Sequence, residues 1–495
     1  MITEHKPVPA KAPTVLDALI PVAFLVVLLI LSARFFGEDS SYGPNQIALL
    51  LAACVALLVG FKNGQGWTEL EKSVFSGMSI VFGPTFILLA VGIMIAAWIA
   101  GGVVPAMVYY GLKLMNPSVF YAAVCLVCAI VSLSIGSSWT TAASVGVAMI
   151  GTAGGLGLSP AICAGAIISG AYFGDKMSPL SDTTNLAPAV AGVDLFTHIR
   201  HMAWTGVPAL VFALIVFMII GIASEPATDI ADLETTLAVL TDNFTIGWYM
   251  LLPLAALFLL AWRKMPALPA ILVAALLGIV YAVVFQDFGT GAEGGQLSAL
   301  WTILFAGYTA GTGDVILDDL LSGGGAANML NTIWLIMCAV FFGGAMEHTG
   351  LLVKLLQAVM QRAKSSAAII TSTILTCIGT NIIAGDQYIA IVLPGRMYKV
   401  AFHHHKLAPV NLSRAIEDSA TVTSALIPWN TCGAFMAATL GVPTLVYLPF
   451  CFFNMAMPVI SVIYGITNFK IVPLAPESDI DDGIMGSVAS TEKIY

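Results

Sequence analysis

Long apolar runs separated by short polar connections dominate the chain. A helix of about 20 apolar residues spans a bilayer, and runs near this length occur at 18–36, 44–61, 78–100, 118–136, 203–223, 244–262, 266–285, 329–346, 366–385 and 444–469. Shorter pieces rich in Gly and Ser lie between them. The first run is too long for the apolar part of a signal peptide, so we interpret it as a retained helix. The pattern predicts an all-α polytopic membrane protein.

Two parts of this pattern are copies of one unit. Residues 85–193 pair with residues 334–442 at a constant offset of 249, without a gap and with nineteen identities, among them Gly136/Gly385, Pro160/Pro409 and Pro179/Pro428. Positive residues favour the cytoplasmic side, which makes the helix at 78–100 run outward and its copy at 329–346 run inward. The sequence therefore predicts two repeats of inverted topology, as in many secondary transporters.

The same charges suggest how the chain is divided. We expect a cytoplasmic N-terminal segment at 1–17, a first transmembrane repeat at 18–224 and an acidic extracytoplasmic linker at 225–243. A second transmembrane repeat would follow at 244–470, and an acidic tail at 471–495. Both termini are predicted to be cytoplasmic.

Composition supports the membrane class and excludes others. Apolar residues make up 59% of the chain and charged residues 9%, with a net charge of −9, whereas soluble domains carry about 25% charged residues. No basic patch suggests a nucleic-acid partner. No HExxH or GxSxG motif indicates an enzyme, and we expect no cofactor. The Cys125/Cys128 pair lies within an apolar run, where packing is the favoured interpretation.

Polar breaks interrupt the apolar runs at equivalent places in the two repeats. Pro179 and Pro428 each lie in a stretch too polar to cross lipid as a regular helix. Residues 136–141 and 385–388 are typical of hairpin tips between short arms, so re-entrant hairpins are expected. Substrates of such transporters bind near the midplane, where helices break. We predict that the four broken elements converge, and that their oxygen atoms suit Na⁺.

Acidic residues in one repeat align with hydroxyl residues in the other: Asp175/Ser424, Asp182/Thr431, Asp386/Ser137 and Asp418/Ser169. We predict a composite site in which Asp182 and Asp418 bind Na⁺ from one shared cavity. Competition between Na⁺ and H⁺ for buried carboxylates would then give antiport. The other predicted ion ligands are Ser181, Asn185, Thr421, Asn430, Asp175, Asp386, Ser137 and Ser424.

Simpler roles compete with ion binding at several of these positions. Asp182 could cap a half-helix instead. Lys176 could neutralise its neighbour Asp175, and Arg414 could pair with Glu417. These alternatives leave Asp175 weaker than Asp182 as a candidate and favour a structural role for Glu417.

The residues at both breaks resemble the NhaC-type Na⁺/H⁺ antiporters. Residues 174–184 are similar to that family's most distinctive stretch, and residues 413–433 to its second one. The resemblance implies a multi-pass exchanger of Na⁺, and with it Li⁺, for H⁺ in the bacterial inner membrane. By analogy with similar ion transporters it also implies two re-entrant hairpins and a homodimer.

The resemblance also leaves a second function open. The family includes members that resemble malate/lactate exchangers, so Na⁺- and H⁺-coupled exchange of small organic acids, or of amino acids, is the alternative. An organic anion would need a cationic or helix-terminal anchor. Arg414, Arg396 and Lys176 are the central candidates for that anchor.

Overall fold

The computed structural model describes residues 11–68, 71, 81–114, 116–224, 230–263, 265–287, 295–314, 317–318 and 321–474. Helices dominate this part of the chain, where β-structure is limited to two isolated bridges, Tyr308–Gly323 and Leu407–Pro473. Eight helices are long and apolar enough to cross a membrane, or up to ten if two bent helix pairs each count as one span. The all-α polytopic class predicted from the sequence is therefore confirmed.

The first half of the chain contains ten helices within the described residues: α1 Val15–Phe36, α2 Pro44–Lys62, α3 Phe82–Ala100, α4 Val103–Leu114, α5 Phe120–Ile135, α6 Ser138–Thr141, α7 Val147–Gly155, α8 Pro160–Met177, α9 Asp182–Ala191 and α10 Leu195–Ala223. A π-helical turn, Ala142–Gly146, joins α6 to α7. Short 3-10 turns occur at Gly37–Ser41 and Pro117–Val119.

The described part of the second half contains thirteen: α11 Ile230–Asn243, α12 Leu252–Trp262, α13 Ala267–Phe285, α14 Gly295–Ala306, α15 Leu330–His348, α16 Leu351–Met360, α17 Ser366–Ala384, α18 Gln387–His404, α19 Pro409–Ile416, α20 Val422–Ser424, α21 Thr431–Leu440, α22 Thr444–Tyr447 and α23 Phe452–Thr467. A second π turn, Glu417–Thr421, joins α19 to α20. Further 3-10 turns lie at Trp248–Leu251, Ala327–Met329 and Leu448–Phe450.

The helix boundaries confirm the repeat. The segment from α6 to α7 covers 138–155, and α18 covers 387–404, a shift of 249 at both ends. The same shift relates the start of α8 to that of α19, and both ends of α9 to those of α21. These agreements arise because equivalent capping residues, glycines and prolines define the helix ends locally in each copy.

The two copies are also inverted. Gly325, just before α15, donates its amide to the Gly92 carbonyl of α3 at 2.6 Å. Pro84, near the start of α3, lines a central cavity with Asp386. Gly343, late in α15, packs against the helix end directly before Asp386. The cavity therefore lies beside the beginning of α3 and beside the later part of α15. These equivalent helices thus run in opposite directions, as inverted repeats require.

The contacts between the repeats are reciprocal. Helix α9 of the first repeat packs on α18 and α19 of the second, and α21 of the second packs on the first π turn and α7. Gly395 of α18 lies against Val190 of α9, and Gly146 of the π turn lies against Leu440 of α21. The helix after each break, α9 or α21, therefore contacts the helical segment after the hairpin tip of the opposite repeat, α18 or α6–α7.

Two apolar runs do not form straight spans. Within 444–469, α22 and its 3-10 turn make an angle of 89° with α21, and α23 follows as a separate helix. The predicted linker at 225–243 contains helix α11, which turns by 83° into the following segment. Hydropathy detected the apolar length but not these bends. Residues 1–10 and 475–495, which include most of the predicted N-terminal segment and acidic tail, lie outside the described residues.

Candidate functional site

All four broken elements meet at one cavity of about 340 Å³. The hairpin tips contribute Ser137, Ser138 and Trp139 from the first repeat and Asp386, Gln387 and Tyr388 from the second, while the breaks contribute Asp175, Asp182 and Thr431. The remaining lining comes from the start of α3 and from Ala267 of α13. The predicted convergence of both tips and both breaks is therefore confirmed.

Local sequence shapes the two tips in the same way. Gly136 ends α5, and Gly385 ends α17, each in the left-handed conformation at φ 76° and 66°, which glycine adopts without strain. The next residue caps the following helix. The Ser137 hydroxyl accepts a hydrogen bond from the Thr140 amide at 3.2 Å, and Asp386 accepts from Tyr388 and Ile389.

Close packing joins each tip to the break of its own repeat. A Cβ on Gly136 would lie 2.7 Å from the Leu180 backbone, so only glycine fits there. In the second repeat the Thr431 amide donates to the Gly385 carbonyl at 2.9 Å. These contacts fix the position of the helix ends that surround the cavity.

The breaks end in capped helices. Ser181 caps α9 by accepting a hydrogen bond from the Thr184 amide, and Asn430 caps α21 by accepting from the Cys432 amide at 3.0 Å. Asn185 donates to the Ser181 carbonyl at 2.6 Å. Ser181 and Asn430 therefore position the two half-helices.

Asp182 occupies the first helical position of α9, after the cap, so the capping role considered for it belongs to Ser181. Its side chain is exposed at the cavity, where the Tyr388 hydroxyl of the second repeat donates to one carboxylate oxygen. The Thr183 amide donates to the other oxygen at 2.9 Å. Asp182 therefore joins the two repeats at the cavity.

Two buried acids line the same cavity. Ser138 donates to one Asp175 oxygen at 2.7 Å, and the other oxygen has no hydrogen-bond donor among the described residues. Asp386, besides capping α18, lies 3.4 Å from the Thr431 hydroxyl. Asp175, Asp182 and Asp386 thus bring three carboxyl groups to one lining.

Asp418 is not part of that lining. It is fully buried behind the cavity, where the Lys176 ammonium donates to one of its oxygens at 2.6 Å and Thr205 donates to the same oxygen at 3.1 Å. The structure therefore does not place Asp182 and Asp418 in one shared cavity, because Asp418 is engaged by Lys176. Lys176 does not pair with Asp175, as considered from the sequence.

The other predicted ligands lie around this pair. The Thr421 hydroxyl is buried and makes no hydrogen bond within the described residues. Ser424 donates to the Thr421 carbonyl at 2.6 Å and contacts Gln387 at 3.4 Å. Ser137 is a half-buried cap at the cavity. The Ser424 hydroxyl thus bonds to backbone and side-chain oxygens nearby, whereas Ser137 both caps α6 and lines the cavity.

Glu417 is the functional candidate that sequence reasoning set aside. The predicted pairing with Arg414 is wrong, since the Arg414 guanidinium donates to the Lys470 carbonyl at 3.0 Å. The Glu417 side chain is fully buried, and Lys176 is the opposite charge that acts on it. One signal in the sequence could have found it: its counterpart in the first repeat is Ile168, a fully buried apolar residue.

Asp175, Glu417 and Asp418 form a charge cluster with Lys176, whose ammonium group donates to Asp418 and acts on Glu417, while Asp175 faces Glu417. If all three acids were ionised, the cluster would carry two uncompensated negative charges in a region closed to solvent. Uncompensated charge is strongly disfavoured in such a region. The cluster can become neutral by taking up cations, either H⁺ on a carboxyl group or a metal ion beside it.

Comparison with known proteins agrees with this chemistry. The model of the Na⁺/H⁺ antiporter family matches residues 170–469. The chain is 39% identical to the Na⁺/H⁺ antiporter NhaC of Alkalihalophilus pseudofirmus over 89% of this chain and 93% of that protein. It is 34% identical to the malate-2H⁺/Na⁺-lactate antiporter of Bacillus subtilis, over 92% and 96%. It is also 34% identical to the arginine/ornithine antiporter ArcD of Halobacterium salinarum, over 96% of each. The chain belongs to the Na⁺/H⁺ antiporter family.

Proposed function

We propose that this protein exchanges Na⁺ for H⁺ across the cytoplasmic membrane, with both ions competing for carboxyl groups at the interface of the two repeats. One observation carries the proposal: Asp175 and Asp182 of the first repeat and Asp386 of the second line one cavity. A related antiporter from Alkalihalophilus pseudofirmus carries the name of this activity.

The tendency of a poorly solvated site to stay electrically neutral couples the movement of Na⁺ to that of H⁺. A carboxylate in a poorly solvated site favours either a proton or a metal ion, and binding of one lowers affinity for the other. Na⁺ and H⁺ that compete for the same negative charge cannot be carried together. Exchange then follows if the cavity opens alternately to the two sides of the membrane.

The cavity supplies hard oxygen ligands of the kind that Na⁺ prefers. In our proposal Asp182 and Asp175 bind Na⁺ directly, hydroxyl or carbonyl oxygens complete the shell, and Asp386 adds negative charge to the cavity. No three Asp, Glu, His or Cys side chains are close enough to form a metal-binding group in the described part of the chain. Weak binding of this type suits a transported ion. Asp418 affects ion binding through its ion pair with Lys176, and Thr421 adds a hydroxyl group beside this pair.

Several wider properties belong to the same proposal. We expect Li⁺ to replace Na⁺, because the proposed ligands are the same oxygen atoms. We place the protein in a bacterial inner membrane with both termini in the cytoplasm, since Lys11 and Lys62 lie at the end of the molecule where α1 begins and α2 ends. We also expect a homodimer, as in similar ion transporters.

Charge argues against an organic anion as the exchanged substrate. Three acids line the cavity, and its described lining contains no Lys or Arg. Arg414 and Lys176, two of the anchors considered for malate or lactate, are bonded elsewhere. A cationic amino acid is the alternative that this lining admits, because a volume of about 340 Å³ exceeds the needs of one ion.

Purified protein in vesicles with a preformed pH gradient provides the test. Addition of Na⁺ alone should collapse the gradient, and the Asp182→Asn protein should show no such response, because it lacks the charge at the mouth of the cavity. Parallel vesicles receive malate, lactate or arginine. A flux that appears only with one of these solutes would contradict Na⁺/H⁺ exchange and identify the substrate instead.

A further inference from the structure

We propose that Glu417 is the residue that carries the transported proton, whereas Na⁺ binds in front of it at the cavity. This inference rests on the proposed Na⁺/H⁺ exchange and assigns its two ions to different carboxyl groups. Glu417 was not among the ligands predicted from the sequence.

Isolation of the Glu417 carboxyl group is the first argument. Its side chain has no solvent exposure, and neither of its oxygens accepts a hydrogen bond from the described residues. The hydroxyls of Thr183 and Thr421 lie nearby without forming a bond to it. An ionised carboxylate without donors would be strongly disfavoured at such a position. Glu417 is therefore neutral in this conformation and holds a proton.

The charges around Glu417 support the same state. Lys176 is the cation that acts on Glu417, but its ammonium group already donates to Asp418 at 2.6 Å. That pair is neutral by itself, so it does not compensate a second anion. From other packed elements, Asp175 of α8 and Cys377 of α17 also face Glu417. Neither group supplies positive charge.

Backbone geometry places Glu417 where a proton can be linked to Na⁺. Glu417 begins the π turn Glu417–Thr421, and π turns are frequent at functional sites. The facing Lys176 follows Asp175 of the cavity, and both carbonyls accept the Thr184 hydroxyl of α9 at 3.0 Å. Glu417 therefore lies behind the cavity, beside the ion pair and facing Asp175 of the lining.

This arrangement gives a simple exchange step. When Glu417 releases its proton to one side of the membrane, the cluster gains one negative charge that Lys176, already paired with Asp418, does not offset. Na⁺ bound by Asp175 and Asp182 offsets that added charge. Return of a proton to Glu417 removes the need for Na⁺ and favours its release.

The test separates the two ions in reconstituted vesicles. Glu417→Gln keeps the size of the side chain and removes the titratable group. Counterflow of radioactive Na⁺ against Na⁺ should continue, while collapse of a pH gradient by Na⁺ should fall by about a hundredfold, the lower end of what a positioned proton-transfer group contributes. Glu417→Asp should restore proton coupling. The matched control is Glu347→Gln on α15, a half-buried acid outside the cavity lining, which should leave both fluxes unchanged.

Other results of these experiments would contradict the assignment of the transported proton to Glu417. Proton-coupled exchange in Glu417→Gln with an unchanged pH profile would overturn it, and loss of Na⁺ counterflow would assign Glu417 to Na⁺ binding instead. If the Gln protein does not fold, the Asp protein decides, since an unchanged pH midpoint there also refutes the proposal. Failure of the unmodified protein to exchange Na⁺ for H⁺ would refute the proposed function, which is a distinguishable result.

Discussion

The two repeats share one backbone plan and divide the chemistry between them. Their helix ends agree at an offset of 249 residues, yet no ionisable residue at the centre has an ionisable counterpart: the pairs are Asp175/Ser424, Lys176/Ala425, Asp182/Thr431, Asp386/Ser137, Glu417/Ile168 and Asp418/Ser169. If both copies carried the full set, the number of buried charges would double. Because the side chains of the two copies have diverged, helix breaks at equivalent positions surround a single set of charged groups.

The backbones differ where the charges do. In the second repeat a π turn at Glu417–Thr421 separates α19 from α20, whereas α8 of the first repeat continues regularly through the equivalent positions. Helix α8 then extends to Met177, but α20 ends at Ser424, the equivalent of Asp175. Lys176 thus lies on a helical turn that the second repeat lacks, and reaches Asp418 from there. The active arrangement depends on both departures from symmetry.

Removing the cation that joins the repeats should have the largest effect. Lys176→Ala gives the first repeat the residue of the second, Ala425, and leaves Asp418 buried without its partner. Loss of one member of a buried ion pair costs about 3–5 kcal/mol, so we expect a much lower thermal unfolding midpoint in detergent.

A double variant sharpens this comparison. Lys176→Ala with Asp418→Ser introduces both counterpart residues, Ala425 and Ser169, and removes the unpaired charge. It should recover much of the lost stability, because replacement of a whole buried pair is often nearly neutral. If the single variant unfolds no earlier than the double variant, the pair does not hold the repeats together as inferred.

Local signals in the sequence predicted the plan of the fold. Gly136 and Gly385 at the tips, with Pro179 and Pro428 at the breaks, were found from an alignment of the repeats alone, because each acts on its own stretch of chain. The capping roles of Ser181 and Asn430, which were predicted as ion ligands, were not found in this way. The convergence of Asp175, Asp182 and Asp386 followed from this plan, since symmetric breaks meet at the repeat interface.

Contacts between distant segments could not be predicted in this way. Lys176 and Asp418 are 242 residues apart, whereas Asp175, the partner considered from the sequence, is the adjacent residue. Which acid pairs with Lys176 depends on the π turn Glu417–Thr421, which no local residue pattern specifies. For the same reason Glu417 was assigned to Arg414, which is close along the chain but bonds to Lys470.

Replacing the capping residue of one hairpin tip with that of the other should have an intermediate effect on transport. Asp386→Ser introduces the residue of the first repeat, Ser137, and Ser caps helices about as well as Asp. The fold should persist while the cavity loses one negative charge. We expect the Na⁺ concentration for half-maximal exchange to rise about tenfold, which corresponds to about 1.4 kcal/mol of weaker binding.

The control for this change is another capping acid. Asp194 caps α10 by accepting from the Thr197 amide at 2.9 Å, outside the cavity lining. Backbone and hydroxyl hydrogen bonds from Thr197 keep the pKa of Asp194 below its usual range, so it is also an ionised cap. Asp194→Ser should leave Na⁺ dependence unchanged. An equal shift in both variants would mean that the effect arises from capping and not from charge in the cavity.

The contact between Tyr388 and Asp182 should give the smallest effect. Trp139 occupies the equivalent position in the first repeat and stacks on Phe435 at 4.0 Å between ring centroids. It therefore offers no counterpart of the hydroxyl that Tyr388 donates to Asp182. Tyr388→Phe keeps the ring and removes that donor. A net hydrogen bond contributes about 0.5–1.5 kcal/mol, and we expect exchange to slow by about two- to tenfold. Exchange at the rate of the unmodified protein would show that the Tyr388 hydroxyl does not influence ion binding at Asp182.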